Sequence, residues 1–284
     1  PEEEIEPVAS LPHLEDLGRE FLQAGAGLLQ KAVLIKLNGG LGTGMGMERA
    51  KSLLPVKQGL SFLDIIVKHA GAQGAALILM NSHRTRRNSL ALVRKYPHIR
   101  EQEEYLPLDF EQSMIPKVDR KTLRPAEYPP DPDLEWCPPG HGELFTAIHD
   151  QGLLARLLDA GYEYAFISNA DNLCASLHPR ILGYLSRKKI PFLMEVTRRT
   201  SVDRKGGHLA RSREDGSLLL RESAQCPKED LDDFLDIDRH RFFNTNNLWV
   251  RLESLRDALE ENDGLITLPL IRNEKTVNPL DPAS

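Results

Sequence analysis

Short apolar runs separated by amphipathic segments recur along this chain, and that alternation limits its fold more than any other feature. Residues 32–37, 75–80, 164–168 and 191–196 are apolar runs of strand length. Between and around them, 61–69, 85–96, 144–160 and 179–188 place apolar residues at helical spacing. The stretch Ser61-Phe-Leu-Asp64 is a capping box opening the first of these helices, and Pro97 should stop the second. Strands alternating with helices predict an α/β fold with a mostly parallel central sheet. After about residue 200 the texture changes. Residues 208–211 and 217–220, flanking Glu214-Asp-Gly216, predict a β-hairpin. Residues 1–30 predict an acidic lead-in with a helical stretch over 14–29. The apolar run 265–271 lacks an evident partner, so the ending reads as a cut rather than a finished domain.

The chain has 284 residues, enough for one large core or two smaller ones. No apolar run reaches the roughly 18 residues of a membrane helix, and the acidic start is unlike a signal peptide. A net charge of -6 argues against a nucleic-acid partner, so any anionic ligand must be met by local positive charge. Basic clusters at 84–87 and 198–205 read as solvated surface. Cys137, Cys174 and Cys226 are far apart, odd in number and without metal-ligand spacing, which fits a reducing cytoplasm.

Directly after the first apolar run, five glycines fall within residues 39–46, and Lys51 follows. Such a segment can turn backbone N–H groups toward phosphate oxygens. The dinucleotide fingerprint fails, because Gly40 and Gly42 would need a glycine where Met45 stands. The P-loop fails too, because Met47 to Ala50 separate Gly46 from the lysine. A longer loop with a displaced lysine suits a nucleotide whose nucleoside lies on the glycines while the lysine reaches its phosphates. A glycine-rich surface turn is the plainer reading.

Four motifs, in order, resemble those of the UTP–glucose-1-phosphate uridylyltransferases. They are Leu37-Asn-Gly-Gly-Leu-Gly-Thr-Gly-Met-Gly46 with Lys51-Ser52, Trp136-Cys-Pro-Pro-Gly-His-Gly142, Ser168-Asn-Ala-Asp-Asn172, and Phe243-Asn-Thr-Asn-Asn-Leu-Trp249. The chain departs from the usual family residues at Gly44, at Glu48-Arg-Ala50 and at Cys174. The resemblance implies a Rossmann-like nucleotidyltransferase fold, with residues 31–284 forming the catalytic domain. It covers about the front two-thirds of the family plan, so the left-handed β-helix domain and a second phosphate-binding lysine would be absent.

Each candidate residue has a chemical reading. Asp171 follows an apolar strand, where one carboxylate suits Mg²⁺ carried by phosphates or, equally, caps the next helix. The Gln112 amide can match a uracil edge or simply end a strand. His141, between two glycines, can hold a sugar phosphate or hydroxyl, or serve structure alone. The amides of 244–247 can bind sugar hydroxyls or form a turn into a strand. Trp136 and Trp249 read as packing residues. By resemblance, Leu37, Asn38, Gly39, Gly40, Gln112, Gly140 and Asn169 contact UTP, and His141, Glu195 and Asn246 contact the sugar phosphate. Asp171 holds Mg²⁺, and Lys51 is catalytic. The implied substrates are UTP and glucose 1-phosphate, and the implied products UDP-glucose and pyrophosphate. The competing readings are a pyrophosphorylase for UDP-N-acetylhexosamine or another UDP-sugar, and a nucleotide-binding protein without turnover.

Overall fold

The computed structural model describes residues 1–41, 49–279, 281 and 284. The glycine-loop positions 42–48, including Gly42, Gly44, Gly46 and Glu48, lie outside the described residues. The chain opens with β1 (Ile5–Pro7), α1 (Arg19–Ala26) and β2 (Ala32–Asn38). A ribbon of β3 (Pro55–Lys57) and β4 (Leu60–Ser61) leads into α2 (Phe62–Gln73) and β5 (Ala76–Asn81). Next come α3 (His83–Val93), α4 (Pro97–Glu103) and β6 (Asp109–Glu111). A second ribbon, β7 (Ile115–Pro116) with β8 (Trp136–Cys137), precedes α5 (Leu144–Asp150), α6 (Leu153–Asp159) and β9 (Tyr164–Asn169). Then follow α7 (Pro179–Arg187), β10 (Phe192–Arg198), β11 (His208–Ser212) and β12 (Leu218–Arg221). The remaining elements are α8 (Leu231–Leu235), β13 (Phe242–Arg251) and α9 (Leu252–Glu260).

Nine of these strands form one mixed sheet among the described residues. Its centre, β6-β5-β2-β9, is parallel. From β9 outward every pairing is antiparallel: β13 on β9, β10 and β11 on β13, and β1 and β12 on β11. The sheet divides the core in two. Leu34 of β2 faces Leu63 of α2, Val93 of α3 and Leu182 of α7, while Ile35 faces Ala147 of α5, Leu157 of α6 and Leu255 of α9. This alternation explains why every residue of β2 is buried.

Several expectations shift. The 14–29 helix shortens to α1 between two single turns, and Gly25 packs so closely on the α7 backbone at Pro179 and Gly183 that a Cβ would clash. The helix over 144–160 is two helices, because Gly152 takes the left-handed conformation (φ 69). The Ser61–Asp64 capping box is present, and α2 runs on to Gln73. Pro97 both ends the preceding turn and opens α4 at its first position. The lead-in is also stitched into the sheet, since β1 pairs with β11. Leu268, from the apolar run near the end, lies against Gly142.

Candidate active site

The carboxyl ends of β2, β5, β6 and β9 bring the motifs together, as open parallel sheets do with their ligand sites. A polar network braces this edge from within. Asn38 donates to Asn81 Oδ1 (2.7 Å) and Ser89 Oγ (2.8 Å), and its Oδ1 accepts from Ser52 Oγ. The Asn38 side chain is thus fully engaged inside the fold, and the Leu37 side chain is buried in the core. Both residues can meet a nucleotide only through their backbone. The same network positions Lys51. Its N–H donates to Gly40 O (3.1 Å), Leu41 bridges to Ala50, and Ser52 is anchored on Asn38, while the Lys51 side chain stays exposed.

Gly39, Gln112 and Gly140 meet at one end of the cleft. Gln112 N–H donates to Asn81 O (2.7 Å), and its Nε2 donates to Gly140 O (2.9 Å). A Cβ on Gly39 would come within 2.7 Å of Gln112 Oε1, so glycine keeps that amide in place. Gly140 has φ 115, a conformation that side chains avoid. The Gln112 Oε1 is an acceptor without a hydrogen-bond partner among the described residues, beside the Gly140 backbone.

His141, Asn246 and Asn169 form the middle of the cleft. The antiparallel register slips between Glu195 and Val196: Glu195 faces Asn247, but Val196 faces Asn244. Thr245 and Asn246 therefore bulge, and Asn246 adopts φ 56, which asparagine tolerates better than most residues. The bulge aims Asn246 Nδ2 at Asn169 Oδ1 (2.9 Å) and His141 Nδ1 (3.2 Å). With Nδ1 accepting, the His141 Nε2–H is free to donate to a ligand oxygen. Desolvation by the surrounding cleft lowers the His141 pKa, and the nearby Asp171 charge opposes that shift.

Asp171 is exposed on the loop after β9. The described residues contain no cluster of three or more His, Cys, Asp or Glu able to cage a metal. That donor set fits Mg²⁺ brought in by phosphates, with one carboxylate completing its shell. Glu195 lies deeper, accepting from Trp249 Nε1 (2.5 Å) and Asn247 Nδ2 (3.3 Å). Burial raises its pKa against the pull of these donors, His178 and Lys36. Sequence reasoning gave Lys36 no role. A lone lysine within an apolar strand, just before the glycines, was the available signal.

Glycines, amides and the carboxylates of Asp171 and Glu195 at the ends of the parallel strands define an α/β protein with a polar cleft at that edge. The sequence model of UTP–glucose-1-phosphate uridylyltransferase matches residues 2–282, and the chain belongs to that family. It is 38% identical over 257 residues to the UTP–glucose-1-phosphate uridylyltransferase of Encephalitozoon cuniculi, covering 88% of this chain and 50% of the relative. The Saccharomyces cerevisiae enzyme of the same name is 38% identical over 256 residues, with the same two coverages. The chain thus spans about half the length of the curated relatives it matches. Among solved structures, UDP-glucose phosphorylase from Trypanosoma brucei superposes with TM-score 0.90 at 45% identity, covering 100% of this chain and 61% of that one. A point mutant of UDP-glucose pyrophosphorylase from Leishmania major, in complex with UDP-glucose, gives 0.88 at 44%, covering 99% and 62%.

Proposed function

We propose that this cleft serves uridylyl transfer, converting UTP and glucose 1-phosphate into UDP-glucose and pyrophosphate. The observation that carries the reading is the continuous line of contacts from Gln112 and Gly140, through His141 and Asn246, to Asn169. The names of the relatives support the same reaction. We assign the site to a catalytic domain over residues 31–284, with 1–30 packed onto it.

Gln112 Oε1 and the Gly140 backbone read the uracil, and the backbone from 37 to 40 lies along the nucleoside. His141, Asn246 and Glu195 receive the sugar phosphate. A phosphate oxygen of glucose 1-phosphate attacks the α-phosphorus of UTP, and the bond to the bridging α–β oxygen breaks. Pyrophosphate carries away that electron pair. The nucleophile is already anionic, so the residues need supply only position and positive charge. Lys51 supplies that charge from its anchor beside Gly40. Asp171 is the carboxylate that would hold Mg²⁺, which would offset the negative charge of the phosphates there. The three cysteines are free thiols, which suits a cytoplasmic setting.

Pyrophosphate release from UTP tests the reading, with glucose, galactose and N-acetylglucosamine 1-phosphates compared in Mg²⁺ and in EDTA. The expected result is Mg²⁺-dependent release with glucose 1-phosphate, cut roughly 10²–10³-fold by Lys51→Ala. UTP binding without release for any sugar would make this a binding protein instead. Faster release with the N-acetylated sugar would change the substrate.

A further inference from the structure

Lys36 is 1% exposed, on the side of β2 that also carries Leu34. An ammonium removed from water is costly unless its protons and charge are met. Its Nζ donates to Ser168 Oγ (2.7 Å) and to Ala175 O (3.0 Å). Those acceptors stand on either side of the loop that carries Asp171. Ser168 is the second-to-last residue of β9 before it, and Ala175 lies after it. The Glu195 carboxylate is the opposite charge that Lys36 feels. Glu195 also accepts from Asn247 Nδ2, and Asn247 Oδ1 accepts from Asn172 Nδ2 (3.3 Å), the neighbour of Asp171. Lys36 therefore pins both ends of the Asp171 loop, and Asn172 and Asn247 join that loop to the Glu195 wall.

We infer that Lys36 is a positioning residue for the sugar-phosphate half of the cleft, pinning both ends of the Asp171 loop from below. This rests on the uridylyl-transfer reading and deepens it. Lys36 reaches the ligand only through others: it fixes the loop ends by hydrogen bonds, and that loop leads through Asn172 and Asn247 to Glu195, whose carboxylate can accept from sugar hydroxyls. The side-chain bonds of this network run to Ser168, Ala175, Asn172, Asn247 and Trp249, whereas Gln112 is held by Asn81 and Gly140. Uracil recognition is therefore independent of the network.

The test compares UDP and UDP-glucose binding by calorimetry, in Mg²⁺, for the unsubstituted protein, Lys36→Met, Glu195→Gln and the double variant. Thermal unfolding of each sample establishes that it is folded. UDP affinity should stay within about twofold, while the advantage of UDP-glucose over UDP falls about tenfold in each single variant. The double variant should lose no more than either single one, because Glu195 is held through the loop that Lys36 pins. A folded Lys36→Met that binds both ligands normally, or loses both equally, overturns the inference. So do losses that add in the double variant. Should Lys36→Met not fold, Glu195→Gln and Ser168→Ala carry the same comparison, and unchanged UDP-glucose preference in both overturns it. An unsubstituted protein that binds no UDP at all would instead sink the nucleotide-site reading, and this inference with it.

Discussion

In the parallel centre of the sheet, β2 is buried along its whole length between β5 and β9 and is apolar apart from Lys36 and Asn38. In the antiparallel wing, the buried positions include His208 of β11, Arg221 of β12, and Arg199, His240 and Glu2 from the connections around them. Glu2 accepts from Arg221 Nη1 (2.6 Å) and His240 Nε2 (2.9 Å) and pairs with Arg239. The His208 ring stacks on His240 with centroids 4.0 Å apart, and Phe234 packs against His208 and beneath Arg199 and Arg221. The centre is held mainly by apolar burial, the wing by charges satisfying one another. Each region therefore carries its own sensitivity to protons. The cleft lies across both, with Gln112 against the centre and Asn246 on the bulge between β10 and β13.

The largest effect should appear in acid and in the wing. Burial, His240, Arg199 and Arg221 lower the His208 pKa from its ordinary 6.5 to about 3, against the pull of the Leu209 carbonyl. The folded state keeps His208 neutral while the unfolded chain takes up a proton below 6.5. Stability therefore falls as pH drops from 6.5 toward 3, by about 1.4 kcal/mol per pH unit for that one proton. Chemical denaturation across this window should show a shallower slope for His208→Phe, which keeps the stack and removes the titration. An unchanged slope would break the contrast between the regions.

The centre should respond in a different window and somewhat less. Burial lowers the Lys36 pKa from 10.5 to about 8, with Glu195 opposing the shift. Between those values the unfolded chain binds the extra proton, so stability rises with pH by a total on the order of 3 kcal/mol. Below about 8 that gain is absent. In Lys36→Met this rise should vanish, whatever the variant does to stability in neutral solution. Smaller still is Asn38→Ala, which orphans groups on Asn81, Ser89 and Ser52. A loss of about 1–3 kcal/mol in urea unfolding is expected, with weaker nucleotide binding as the Lys51 anchor loosens. Full stability with normal binding would show that the network does not brace the cleft.

How much of this was legible depended on how local the signal was. The apolar runs at 32–37 and 164–168, the Ser61 capping box and the 208–220 hairpin are short-range patterns, and each is present. The pairing of β1 with β11 joins residues about two hundred positions apart through a three-residue strand, and no local pattern encodes it. The break at Gly152 was visible as a glycine, but helical spacing on either side masked it. The site motifs supplied Gly140, His141 and Asn246, and the family resemblance added Gln112. Their meeting depends on a bulge that the run Asn244-Thr-Asn-Asn247 permits and only the sheet register creates. Asn38 belonged to the motif, yet its side chain faces inward because alternate residues of a strand face opposite sides.

Everything proposed for the cleft depends on the ends of the parallel strands forming a site that reads uracil. Calorimetric titration of UTP and ATP into the protein and its Gln112→Ala variant tests it most directly. The account predicts that UTP binds more tightly than ATP, and that the variant loses roughly tenfold for UTP and little for ATP. Equal affinity for the two nucleotides, or a folded variant that keeps its preference for UTP, would contradict it.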